Sequence, residues 1–272
     1  MTDYDGVVAV LDEKTYHAHP ALSSTQARTL LASPARYQWE RTHPRVGSSA
    51  AFSVGSAVHS LVLGVGDPVV SIDADSWRTA AARTARTEAE ASGAIAVLAS
   101  EYAEIKAMAE SVMTHADARA LFESPGTSEV SVFATDPSSG VRMRARYDRL
   151  PEGGDFAVDL KTTAGDASPD GFSKTVVKYA YHYQSAHYFH AYSLATGVFE
   201  QRMKFVVVEK SSPHLVGVYE LDRQYADIGA KMVRRALDLH AYYTESKVWP
   251  DYSYEEPILS PPQWMIKKWA EL

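Results

Sequence analysis

The chain has 272 residues, 46% of them hydrophobic, no cysteine, and a formal net charge of -7 at pH 7. Without cysteine there can be no disulfide, cysteine-ligated zinc, iron–sulfur cluster or thiol nucleophile, and the acidic balance argues against a general nucleic-acid coat protein while leaving room for a local basic groove. The sequence has no apolar run of 18 residues, and MTDYDGVVAV is acidic where a signal peptide would be basic, so the expected location is the cytoplasm with no membrane contact.

Residues 1–46 read as a short extended lead and then a helix. In HPALSSTQARTLLASPARYQWERTHP, Ser23 or Ser24 can cap the helix, Leu30 and Leu31 fall on its apolar stripe, and Ser33-Pro34 breaks or restarts it before Tyr37 and Trp39. The next helix, SSAAFSVGSAVHSLVLG, has Gly55 near its start, Val58, Leu61 and Val62 at helical spacing, His59 beside them, and Gly64 as C-cap. From Asp73 to Phe122 the Ala, Glu and Arg content predicts two long helices parted near Ser92-Gly93, the second carrying Ala94, Ile95, Val97, Leu98, Tyr102, Ile105, Met108, Ala109 and Val112 on its packed face.

Strand signals begin at Glu129: EVSVFATD, VRMRARYDRL and FAVDLKTT, joined by Pro-Ser-Ser-Gly and Pro-Glu-Gly-Gly turns, predict a three-strand meander. A helix follows from Ser168-Pro169 to Gly197, then two strands around Ser211-Ser212-Pro213, then a helix over DRQYADIGAKMVRRALDLHAYYTES. The expected architecture is one α/β domain over 1–272, with a mixed central sheet flanked by helices: 1–122 mainly helical, 123–250 the catalytic sheet and its helices, and 251–272 a C-terminal tail.

In FAVDLKTT, Asp159 and Lys161 are two apart and share a strand face, and the tight turn is expected to bring Asp148 alongside them on that face. Two carboxylates and an ammonium there are costly to bury unless they bind something. A hard divalent cation is the expected guest, with the Leu160 carbonyl as a further ligand and Lys161 placed to position water or stabilise charge on phosphorus.

An Asp, a turn, and then Asp-x-Lys on the next strand resembles the core of the PD-(D/E)xK nucleases, and VDLKTT is similar to the form found in RecB-like and RecE-like exonucleases. GSAVHSLVLG looks like the helix that supplies a histidine to the RecB-type site, and YQSAHYFHAY resembles the Gln-x-x-x-Tyr motif that follows the lysine. YHAHPALSSTQARTLLASPARYQWERTHP and SWRTAAARTARTEAEASG resemble the phage RecE-like (exonuclease VIII type) group, so the resemblance covers roughly residues 16–250. The chain departs from the superfamily name at one place, since Asp148 follows Tyr147 rather than a proline.

The resemblance implies a restriction-endonuclease-like fold, with His59, Asp148, Asp159 and the Leu160 carbonyl as ligands to Mg²⁺, for which Mn²⁺ can substitute, and Lys161 as catalytic lysine. Gln184 and Tyr188 would face the DNA backbone or Lys161, and Glu129 would be an additional acidic residue. It further implies 5′ to 3′ digestion of linear double-stranded DNA ends, leaving 3′ single strands for a RecT-like annealing protein. It also implies a ring-like homo-oligomer, a tetramer, encoded by a phage or prophage in a bacterial host. Two other readings stay open: a structure-specific or endonucleolytic enzyme of the same superfamily, and a non-catalytic DNA-binding protein with its fold.

Arg142, Arg144 and Arg146 share the parity of Asp148, which fits either phosphate contacts or a solvated face, with Arg146 the better phosphate candidate. Trp77 and Arg78 fit a DNA contact or a helix anchor equally. His182, His187 and His190 lack an acidic partner at matching spacing and read as core and surface positions of one helix.

Overall fold

The computed structural model describes residues 4–8, 11–43, 50–252 and 258–270. Residues 1–3 and 9–10 of the acidic lead, and 253–257 and 271–272 of the expected tail, lie outside the described residues. In chain order come β1 (Gly6–Val8), α1 (Glu13–Ala18), α2 (Ser24–Ala32), α3 (Pro34–Thr42), α4 (Ala50–Leu63), β2 (Val69–Ile72), α5 (Ala80–Ala91), β3 (Ile95–Leu98), α6 (Ala99–Thr114) and α7 (Ala116–Glu123). They are followed by β4 (Gly126–Thr135), β5 (Arg142–Pro151), β6 (Phe156–Thr163), α8 (Pro169–Tyr179), α9 (Tyr181–Thr196), β7 (Arg202–Glu209), β8 (Val216–Glu220), α10 (Arg223–Ser246) and α11 (Gln263–Trp269).

The fold is mixed α/β. Six strands form the central sheet in the order β1-β4-β5-β6-β7-β8, and β2 and β3 form a separate parallel pair. The meander β4-β5-β6 is antiparallel as expected, turned by Gly153 and Gly154 at φ 94° and 68°, a region open to glycine but not to a side chain at low cost. The sheet then changes sense: β6 pairs with β7 in parallel, which needs the long crossover that α8 and α9 provide.

Each face of the sheet buries its own apolar layer. Met143, Ala145, Tyr147, Ala157, Phe205 and Val207 pack under α2, α9 and α10, whereas Val158, Leu160, Val206 and Val208 pack under α4 and α6. Strand parity alone therefore decides which helix layer a polar residue on β5 or β6 will meet.

Three expectations change. Ile95–Leu98 are a strand rather than the start of a helix, because four apolar residues serve either period and here they pair with Val69–Ile72. Leu98 ends that strand and begins α6, where the Glu101 carboxylate accepts its amide at 2.9 Å. The helix expected over 168–197 breaks at Ala180, which takes the left-handed conformation (φ 54°) and starts α9 at Tyr181. Gly55 falls inside α4 rather than at its start. The serine caps hold: Ser23 forms a capping box with Gln26, and Ser33 ends α2 and caps α3.

Candidate active site

The site lies where the sheet splits. β5 and β6 share one register pair, Arg149 with Val158, and the next positions along each strand are Asp148 and Asp159. Past that pair the amide of Leu160 donates not to a β5 carbonyl but to the Asp148 carboxylate, at 2.7 Å. The split replaces ladder bonds with side-chain oxygens, so the acidic residues stand where strand pairing ends.

This geometry corrects the expectation of one shared face. Asp159 turns towards α9, where Gln184 Nε2 donates to its Oδ1 at 2.8 Å. Asp148 turns towards α4, where His59 Nδ1 stands 3.5 Å from its Oδ2. The Leu160 carbonyl also lies beside the His59 ring and acts on its titration. The two carboxylates reach the split from opposite helix layers.

On the α4 side, His59, Glu129 and Asp148 each offer a ligand atom within 4.8 Å of the others. Glu129 is the residue across the ladder from Asp148: pairing runs Ser128 to Arg149 and Val130 to Tyr147, and skips the position between. Its φ is 57°, a strained value for a residue with a long side chain. Arg146 braces it, with Nε 2.5 Å from the Glu129 carboxylate and Nη1 donating to the Leu11 carbonyl at 2.8 Å and to Ser131 Oγ at 3.1 Å.

Burial, and then the charge of Asp159, push the Asp148 carboxyl well above the usual carboxylate range. Burial and the Lys161 ammonium push His59 down, which favours the neutral imidazole, the form that ligates metal. Two opposed carboxylates and a neutral imidazole suit a divalent cation: the oxygens fit Mg²⁺ or Mn²⁺, and the nitrogen is readily accepted by the latter.

On the α9 side, Lys161 Nζ is 2.5 Å from Asp159 Oδ2 and 4.8 Å from the centre of the Tyr181 ring. Burial alone would lower the lysine, but Asp159 first, and then Tyr181 and Asp148, outweigh it and the ammonium is held charged. Asp159 Oδ2 is buried, and the Lys161 ammonium is its close charged contact. Tyr188, one turn beyond Gln184, packs edge-on against Tyr147, and burial raises its hydroxyl well above the usual range.

Other polar candidates fall elsewhere. Arg144 is 3% exposed and donates to the carbonyls of Tyr16, His17 and His19, closing the end of α1. Trp77 lies under Arg86, at 5.1 Å. His187 is buried against the Arg144 carbonyl, and His190 does have an acidic partner, Asp136 at 2.9 Å, brought from the β4–β5 turn. Sequence reading missed Tyr181, because nothing in the local pattern marks Ala180 as a helix break that places this ring beneath the lysine.

The family described as PDDEXK-like domain of unknown function (DUF3799) matches residues 23–256. No curated protein matches the sequence. Among solved structures, a "putative exonuclease" from Eubacterium rectale aligns with a TM-score of 0.62 at 14% identity, covering 97% of this chain and 99% of its own. A phage-related exonuclease from Haemophilus somnus 129PT aligns with a TM-score of 0.34 at 10% identity, covering 86% and 99%.

Proposed function

Because the chain belongs to the PDDEXK-like domain family (DUF3799), we propose that it is a divalent-metal-dependent nuclease, and within that class an exodeoxyribonuclease that digests linear duplex DNA from the 5′ end. The convergence of His59, Glu129 and Asp148 on one side of the sheet split, with the Asp159–Lys161 pair on the other, carries this reading. His59, Glu129 and Asp148 would hold the cation, with Asp159 Oδ2 and the Leu160 carbonyl as further candidates. When bound, the cation supplies Lewis-acid stabilisation of the phosphate and activates water.

The protein's own groups do the rest. Gln184 fixes the Asp159 carboxylate, and Asp159 in turn fixes the Lys161 ammonium. That ammonium, held charged over Tyr181, faces the charge that develops on the phosphate. Glu129 is braced by Arg146, so Arg146 acts through Glu129 and not as a direct phosphate contact.

The finer reading includes 3′ single strands handed to a RecT-like annealing protein, a ring-like tetramer and a phage or prophage origin in a bacterial cytoplasm. An acidic exterior suits a ring whose basic groups line only the channel. Among the described residues no helix is long and apolar enough to cross a membrane.

The test uses linear duplexes labelled at the 5′ or 3′ end beside a covalently closed circle, with Mg²⁺ or EDTA, and an Asp148→Asn control. Early release of the 5′ label, dependence on Mg²⁺, an intact circle and an inactive variant are expected. A cut circle would move the assignment to an endonuclease, and no cleavage at all to a DNA-binding protein.

A further inference from the structure

One helix away from the site lies a surface of aromatic rings and cations. α2 begins near Lys161, where Ser24 and Thr25 border the space in front of the ammonium, and runs nine residues, about 14 Å, before Ser33 turns the chain into α3. On α3 and its cap, Arg36, Trp39 and His43 fall at i, i+3 and i+7 and share one exposed face. The Trp39 and His43 rings stack, 4.6 Å apart and 8° from parallel, and His43 Nδ1 donates to the Trp39 carbonyl at 3.0 Å, which holds the imidazole flat against the indole. Trp39 is 58% exposed although His43 covers one of its faces, so the other face stands open. Arg36 donates to the Tyr252 hydroxyl at 3.1 Å, and Tyr252 is 74% exposed. Arg41 lies over the Tyr37 ring at 5.6 Å and adds a second cation, while Glu40, the one acid of the helix, is half-buried. The fold does not need this face as an anchor. α3 is held from its other side by Tyr37, whose hydroxyl meets His240 Nε2 at 2.9 Å and whose ring packs against Trp249.

We propose that this face of α3 binds single-stranded DNA, with a base stacked on the open side of Trp39 and backbone phosphates beside Arg36 and Arg41. An indole already stacked and held in place receives a base of any sequence with little ordering cost. The guanidinium groups beside it supply local positive charge for a polyanion, on a chain whose net charge of -7 would otherwise repel one. The occupant is a single strand because the bases of a duplex are stacked on one another and cannot reach the indole. The inference rests on the nuclease reading, whose reaction leaves such a strand, and it makes α3 the surface that retains that strand while its complement is digested.

Fluorescence anisotropy in EDTA, on the full chain, with a short labelled oligothymidylate, an abasic strand of the same length and a blunt duplex tests it. Trp39→Ala and Arg36→Gln should each weaken binding of the oligothymidylate by about fivefold or more, Trp39→Phe by no more than about twofold, and none of them should alter binding of the duplex. An unchanged Trp39→Ala, an abasic strand bound as tightly as oligothymidylate, or an equal loss for strand and duplex would overturn the proposal. A smaller sedimenting mass for Trp39→Ala would also overturn it, since a second copy of the chain would then be what covers this face. Should a variant melt early, ultraviolet crosslinking of the parent to a bromouridine-bearing strand decides: crosslinks within residues 36–43 support the surface and crosslinks confined to other segments refute it. Binding in EDTA requires no hydrolysis. A nuclease whose Trp39→Ala variant holds the strand as the parent does sinks this inference alone, and a strand binder that leaves DNA uncut sinks the nuclease reading alone.

Discussion

Replacing Lys161 by alanine is the obvious test of the active site, and the structure predicts that it does two things at once. The Asp159 side chain is 4% exposed and that of Lys161 19%, so removing the ammonium leaves a carboxylate buried with Gln184 as its remaining donor. Breaking a buried pair in this way costs about 3–5 kcal/mol, and the partial exposure of the lysine places this case near the lower figure, about 3 kcal/mol. That is a large share of a typical domain stability of about 5–15 kcal/mol. Loss of nuclease activity in Lys161→Ala would then mix lost chemistry with lost fold. The double variant Asp159→Asn/Lys161→Met separates them: with no charge left to desolvate, it should recover about 2 kcal/mol or more of the single variant's deficit while staying inactive. Urea unfolding at constant slope, read beside hydrolysis of labelled duplex, measures both. A Lys161→Ala protein within about 0.5 kcal/mol of the parent, or a double variant no more stable than Lys161→Ala, would refute the claim that this pair is desolvated.

Mg²⁺ at about a hundred times its dissociation constant should stabilise the protein by about 2.7 kcal/mol, and Glu129→Gln or Asp148→Asn should lose most of that gain in a thermal melt. In EDTA, Asp148→Asn should unfold at a higher temperature than the parent, because it removes a carboxylate disfavoured first by burial and then by Asp159 and Glu129; a lower melting point would contradict that. Burial pushes His187 and His240 down to about 4, so the unfolded chain takes up their protons first. Stability is full above about pH 6.5 and falls as the pH drops towards 4, by on the order of 3 kcal/mol for His187, and His187→Gln should flatten that stretch of a pH–stability curve. Asp136 is 1% exposed, accepts from Ser139 and His190, and pairs with Arg234, so Asp136→Ala should cost roughly 3 kcal/mol in urea unfolding while leaving nuclease activity in place at low temperature.

Local chemistry made much of the fold legible. Ser23 and Ser33 announce their helices because a cap needs one side chain and the amides next to it, and the Gly153-Gly154 turn announces its hairpin because few other residues reach those dihedral angles. The β2–β3 pair was not legible. Each strand is four residues long, the pair is parallel with a helix between its strands, and no turn signal joins them. The break at Ala180 was hidden for a similar reason, since a left-handed alanine is imposed by what α8 and α9 pack against and not by its own preference.

The site shows the same division between local and global information. Periodicity correctly put Asp159 and Lys161 on one side of β6, but the side Asp148 meets follows from the register of β5 against β6, where Arg149 pairs with Val158 and leaves Asp148 facing α4 and Asp159 facing α9. Glu129 carries the clearest physical mark of function. It holds a positive φ, stands across from another carboxylate, and takes an arginine anchored to the Leu11 carbonyl to keep it there. The first two are locally unfavourable: a left-handed non-glycine residue costs roughly 1–2 kcal/mol, and like charges facing each other across a ladder destabilise it further. A sequence shaped for stability alone would place glycine at 129 and an uncharged residue at 148. The two unfavourable features meet at the same point as His59, and the proposed divalent cation would offset the repulsion between the two carboxylates.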